Sequence, residues 1–187
     1  MANKDSAFGL RPIGKVGQNR DNQGLSEYDI AASATAIFQN DPVEMAATGT
    51  ITVAAATDTL LGSLTGVFFT DASTSKPTFA NHLKGSNTAT DIKGFVSDDP
   101  YERFEIQSDD ATAAADVGLN ADIVYAAGSS PNYVSKVELD HSDLKTATAQ
   151  LRVLAISKDI ENNEAGSANV NLVVMINEHF LKGTTGI

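Results

Sequence analysis

From Tyr28 onward the chain is a succession of short apolar or alternating runs, each closed by Gly, Pro, Asn, Asp or Ser. Runs of this length with period-two alternation predict β-strands rather than helices. Strands are expected over residues 27–31, 36–39, 50–55, 66–70, 92–97, 103–107, 122–126, 134–139, 149–157 and 169–177. The clearest alternation is Leu151-Arg152-Val153-Leu154-Ala155-Ile156, which puts Leu151, Val153 and Ala155 on one face. Near the C-terminus Val170, Leu172, Val174 and Ile176 alternate with Asn171, Val173, Met175 and Asn177, so that strand reads as covered on both faces over its middle.

The separators are turn chemistry: Asp98-Asp99-Pro100, Asp109-Asp110, Gly128-Ser129-Ser130-Pro131-Asn132 and the run from Glu161 to Gly166. Helical spacing is scarce. Residues 57–64, with Asp58 as a start signal, predict one or two turns, and 111–117 another. Residues 69–91, rich in Thr, Ser, Asn and Lys, read as a long excursion from the sheet. About ten short strands without a helical layer predict an all-β fold, an antiparallel β-barrel or β-sandwich. No fixed-period repeat is present.

The first 25 residues differ. Gly9, Pro12, Gly14, Gly17 and Gly24 interrupt any regular element, and only Phe8, Leu10, Pro12 and Ile13 offer apolar anchors. This predicts an extended N-terminal arm over 1–25 and a single β-rich body over 26–187. Charge separates the same regions. Residues 1–20 hold four basic side chains against Asp5 alone, whereas the remainder holds nine basic and 23 acidic ones.

A net charge of −11 argues against nucleic acid as a partner, since phosphate would be repelled. No run approaches the ~20 apolar residues of a membrane-spanning helix, and the first residues carry no apolar signal segment. Synthesis in a cytosol and no membrane association are the expectation. Cysteine is absent, which excludes disulfides, thiolate metal sites and thiol nucleophiles. With no Trp, eight Phe and four Tyr, large rings are few, and a thin core favours burial of further surface by self-association.

Candidate chemistry is sparse. Gly9 to Lys15 has the spacing of a phosphate-binding loop, but Val16 stands where Mg²⁺ ligation needs a hydroxyl, and Pro12 removes an N–H the loop would use. His141 lies beside Asp140 and Asp143, where a capped turn explains the acids without a metal; His82 and His179 stand apart. Asp98, Asp99, Glu102 and Glu105 crowd into eight residues, yet a strand–turn–strand would splay them to different sides. Asp159 to Glu164 could offer hard oxygen ligands, but without the central Gly of a calcium loop. No Gly-x-Ser-x-Gly turn occurs. No catalytic residue, cofactor or metal ligand is assigned.

Five blocks carry a resemblance. They are Phe8-Gly9-Leu10-Arg11-Pro12-Ile13-Gly14, then Glu27-Tyr28-Asp29-Ile30, then Ala36-Ile37-Phe38-Gln39-Asn40-Asp41-Pro42-Val43, then Asp98-Asp99-Pro100 with Phe104-Glu105-Ile106-Gln107, and finally Val174-Met175-Ile176-Asn177-Glu178-His179. In order and spacing this text resembles the cement or decoration proteins of tailed-bacteriophage capsids. The resemblance implies a non-enzymatic virion protein, synthesised in the host cytoplasm and placed on the capsid exterior, bound to the major capsid protein and bridging capsomers, with self-association as a homotrimer. The contact residues it singles out on the arm are Phe8, Leu10, Arg11, Pro12, Ile13 and Lys15. A tail or head–tail connector component is the alternative within structural proteins. A glycan-binding β-barrel module is the alternative of another class, disfavoured by the missing Trp and scattered Tyr residues.

Overall fold

In the computed structural model, which describes residues 2–17 and 24–183, the alternating runs become strands at Arg11–Lys15 (β1), Ser26–Asp29 (β2), Pro42–Met45 (β3), Ile51–Val53 (β4), Leu60–Thr70 (β5), Pro77–Ala80 (β6) and Lys93–Ser97 (β7). The second half adds Glu102–Gln107 (β8), Asn120–Ala121 (β9), Ile123–Val124 (β10), Glu138–Leu139 (β11), Leu151–Ile156 (β12) and Asn171–Ile176 (β13). The only helical pieces among the described residues are three single 3₁₀ turns. The fold is all-β and sandwich-like. Its sheets do not close into a barrel.

One sheet runs β1-β8-β13-β12-β9, and the other runs β2-β7-β5-β3-β4 with β6 also on β5; β10 and β11 pair separately. Every strand pair is antiparallel. Each large sheet buries its own apolar cluster. Phe104, Ile106, Leu151, Val153, Leu172 and Val174 anchor the first, and Ile37, Val43, Ile51, Leu64, Leu83 and Val96 the second.

The two clusters meet at β5. Leu60 belongs to the first and Leu61 to the second, because successive strand residues point to opposite faces and here both faces are covered. This explains why the expected helix over 57–64 is absent. Two bulges, one leaving Leu61 unpaired against β3 and one between Leu64 and Gly66 against β7, let Leu61, Leu64 and Val67 all enter one cluster, a spacing of three that imitates a helical stripe. Asp58 does act as a local start signal, accepting the Ala55 N–H at 2.7 Å, but the turn it closes leads into a strand.

A second bulge, between Val153 and Ala155, corrects the expected face of β12: Ala155 turns away from Leu151 and Val153 and stands exposed opposite Val173. Residues 36–39 form only isolated bridges, Ile37 to Leu83 and Gln39 to Val134. Within the excursion over 69–91 lies β6, which returns alongside β5 as a hairpin.

The described part of the expected arm is not extended away from the body. Residues 11–15 are an edge strand paired with β8, and Leu10 is 0% exposed in the first core cluster. Gly9 makes this entry possible. It sits at φ +73°, and a Cβ there would lie 2.3 Å from the Asn40 carbonyl oxygen and 2.5 Å from the Ser135 side chain. Residues 18–23, the rest of the arm's polar stretch, lie outside the described residues.

Candidate interaction surface

The outward face of the first sheet divides into two halves. One half is covered by the chain's own N-terminus. Gln107 Oε1 accepts the Ser6 N–H at 2.8 Å and Gln107 Nε2 donates to the Lys4 carbonyl at 2.9 Å. Asn162 Oδ1 accepts the Lys4 N–H at 2.9 Å, and its Nδ2 donates to the same Lys4 carbonyl at 2.8 Å. Gln107, Asn162 and Asn171 are buried, and their amide groups take the place that a covering strand would fill.

The other half is an apolar groove of about 820 Å³. Its lining includes Ile13 from β1, Val173 and Met175 from β13, and Leu154 and Ala155 from the β12 bulge, with Arg11, Arg103 and Lys158 around the edge. The middle of β13, expected to be covered on both faces, is therefore covered on one. Val173 and Met175 are only half-buried.

The arm residues singled out by resemblance take different positions. Arg11 and Ile13 (41% exposed) reach this groove. Arg11 also pairs with Glu105, which accepts from Ser157 as well, and its guanidinium lies 4.5 Å from the centre of the Phe8 ring. Lys15 is held by Asp99 at 2.6 Å, and Pro12 is half-buried opposite Phe104. Leu10 is not available to any partner, because its side chain is core and its carbonyl accepts the Ser63 hydroxyl at 2.5 Å.

A second exposed apolar face lies on the other sheet and was not legible in the sequence. Phe68 and Phe79 are cross-strand neighbours, and Phe79 meets Phe95 at 5.6 Å between ring centres. Gly66 lies beneath them, with the Phe79 ring 3.1 Å from where a Cβ would stand. Phe79 is 68% exposed although it sits in a strand. Its polar neighbours in the sequence gave no periodic signal.

The acidic and histidine candidates are absorbed by structure. Asp98 accepts from the Tyr28 hydroxyl at 2.6 Å, whereas Asp99 binds Lys15 and accepts the Tyr101 N–H at 2.8 Å. Lys15 and that N–H hold the Asp99 carboxyl below its ordinary range, chiefly through the lysine bond. Asp140 accepts the Ser142 hydroxyl at 2.6 Å in a 3₁₀ turn, and Asp143 binds Lys145 at 2.8 Å. His82 stacks on Tyr133 at 3.9 Å between ring centres, and burial lowers its pKa. His179 is buried, and burial followed by the Lys182 charge lowers its pKa to about 4. Burial raises Asp41 to about 6. Among the described residues no three His, Asp or Glu side chains converge as a metal site. In the 159–164 loop, Asp159 instead accepts from the Glu161 N–H and from Asn171.

Apolar floors with charged edges supply contact area of the kind protein interfaces use. No protein-family model, curated protein or solved structure matches the chain.

Proposed function

We propose that this is a structural protein of a tailed-bacteriophage particle, a cement or decoration protein that binds the outside of the assembled shell. The resemblance blocks support the reading by where they lie. The first, fourth and fifth blocks are far apart in the sequence, yet they contribute to β1, β8 and β13, three neighbouring strands of one sheet. That arrangement is the observation that carries the proposal.

Bridging capsomers requires more than one contact surface, and the body offers two. The Phe68–Phe79–Phe95 face is the one proposed to lie on the major capsid protein. The β1 groove is left for self-association, which accords with contact residues on Arg11 and Ile13. Binding to the assembled shell in preference to free subunits is sufficient to stabilise it, and repetition over equivalent sites multiplies a modest affinity. The net charge of −11 also suits an exterior position better than one against the packaged genome.

The test is occupancy. Purified protein is added to shells that lack it, and bound copies are counted by cryo-EM. The expected result is density on the shell exterior, lost with Phe79→Ser while the variant's melting temperature stays near that of the parent. Density confined to the tail or connector, or none at all, overturns the reading.

A further inference from the structure

We infer that the groove on the outer face of the first sheet receives Ile160 of a second copy of this chain, giving a reciprocal twofold dimer. The inference deepens the self-association part of the proposed function and does not depend on the shell.

Ile160 is 85% exposed, the highest value among the large apolar side chains of the described residues. It is not a frayed loop residue. Its turn is closed by the Asn162 N–H on the Asp159 carbonyl at 3.1 Å and the Glu161 N–H on Asp159 Oδ1 at 3.1 Å. Behind it Asn162 is buried and bonded to Lys4 and to the Asn169 carbonyl. A turn whose backbone is already fixed has less conformational freedom to lose on binding.

The groove matches it in shape class and charge. Ile13, Leu154, Val173 and Met175 supply an apolar lining for an aliphatic tip. Arg103 and Lys158 at the edge make no ion pair among the described residues. The tip carries Asp159 and Glu161 on either side of Ile160, Glu161 in an exposed pair with Lys4 at 2.7 Å that a closer cation on a partner can exchange for. On a chain of net charge −11, two copies repel in general; the groove, where Glu105 is offset by Arg11 and Asp159 by its neighbours Arg103 and Lys158, is a local exception that favours this contact.

Symmetry follows from placement. Lys158 and Asp159 line the groove, and Ile160 is the next residue, so knob and socket belong to one patch. A patch containing both halves of a contact is self-complementary and closes about a twofold axis, with each Ile160 seated in the partner's groove. A threefold ring needs knob and socket on different faces. The contact would also cover the outer side of β13, whose Val173 and Met175 carry the apolar pattern of a strand buried on both faces.

The experiment is multi-angle light scattering after size exclusion on the full chain without shells, at high micromolar concentration. Twice the 19.6 kDa chain mass is expected. Ile160→Asp is expected to give monomer whose melting temperature matches that of the parent diluted until it too is monomeric, Arg103→Glu to weaken the dimer at least tenfold, and Arg103→Glu with Glu161→Arg to restore it in part. A parent protein that is monomeric or trimeric, or a dimer indifferent to Ile160→Asp, overturns the inference. Shell occupancy measured separately with the Ile160→Asp monomer distinguishes that failure from failure of the shell-binding proposal.

Discussion

The backbone N–H of Lys4 donates to Oδ1 of Asn162 at 2.9 Å, across a sequence separation of 158 residues, and Nδ2 of Asn162 returns a bond to the Lys4 carbonyl at 2.8 Å. One buried amide thus fastens the N-terminus to the loop that carries Ile160. Both ends of the strap lie on the outer face of the first sheet, where it replaces a covering strand.

Asn162→Ala is expected to leave the Lys4 groups without their partners. Losing a buried amide with several bonds costs about 2–3 kcal/mol. Hydrogen exchange at Lys4 and Ser6 should accelerate far more than exchange in β13. Equal acceleration throughout would show global destabilisation and contradict a local fastening role.

Within the N-terminal segment the residues should separate sharply by burial. Leu10→Ala removes a fully buried side chain from the first core and is expected to cost about 2–5 kcal/mol. The double change Phe8→Ala with Ile13→Ala should cost much less, because Ile13 is exposed and Phe8 half-buried. Urea unfolding midpoints provide the comparison. A smaller loss for Leu10→Ala than for the double variant would contradict the packing described.

Gly9→Ala tests the close approach that lets Leu10 enter the core. The new methyl would meet the Asn40 carbonyl oxygen at 2.3 Å while the backbone sits in the left-handed region. Strain and overpacking together predict a loss of about 3 kcal/mol, read as a lowered thermal midpoint. A change below about 1 kcal/mol would mean that the segment shifts without penalty.

Two buried titratable groups should oppose each other in acid. Burial raises Asp41 to about 6, so its favourable contribution is complete below the ordinary aspartate range and is lost as pH rises through 6. His179 is lowered to about 4, so its contribution is complete above about 6.5 and is lost as pH falls through 4. Between these limits the two slopes have opposite signs. Asp41→Asn should leave the His179 loss exposed, with stability falling on acidification from pH 6.5 to 4 by about 2–3 kcal/mol relative to the parent. His179→Gln should shift the slope the other way. Parallel stability–pH curves for parent and both variants would remove either group from the account.

The β class, the turn positions and most strands of the second half follow from local pattern, because period-two alternation needs only a one-sided core to be visible. It fails where that condition fails. Leu60 and Leu61 enter different cores, and the bulges at Leu64 and Val153 shift the period, so the start of β5 reads as helical and Ala155 reads as facing inward. Of the candidate groove, Ile13 stood out as an apolar anchor and Arg11 through the resemblance. Phe79 and Ile160 did not, because exposure of a single apolar residue in polar text has no sequence period.

What the sequence determined by itself was an acidic, cysteine-free β protein with a distinct N-terminal segment, since composition and alternation are properties of the chain alone. Only the tertiary structure decided that the segment's described residues lie on their own body. That outcome depends on Gly9 meeting Asn40, on Leu10 filling the first core, and on Gln107 and Asn162 capturing Lys4. These partners are distant in sequence, and no local pattern encodes their meeting.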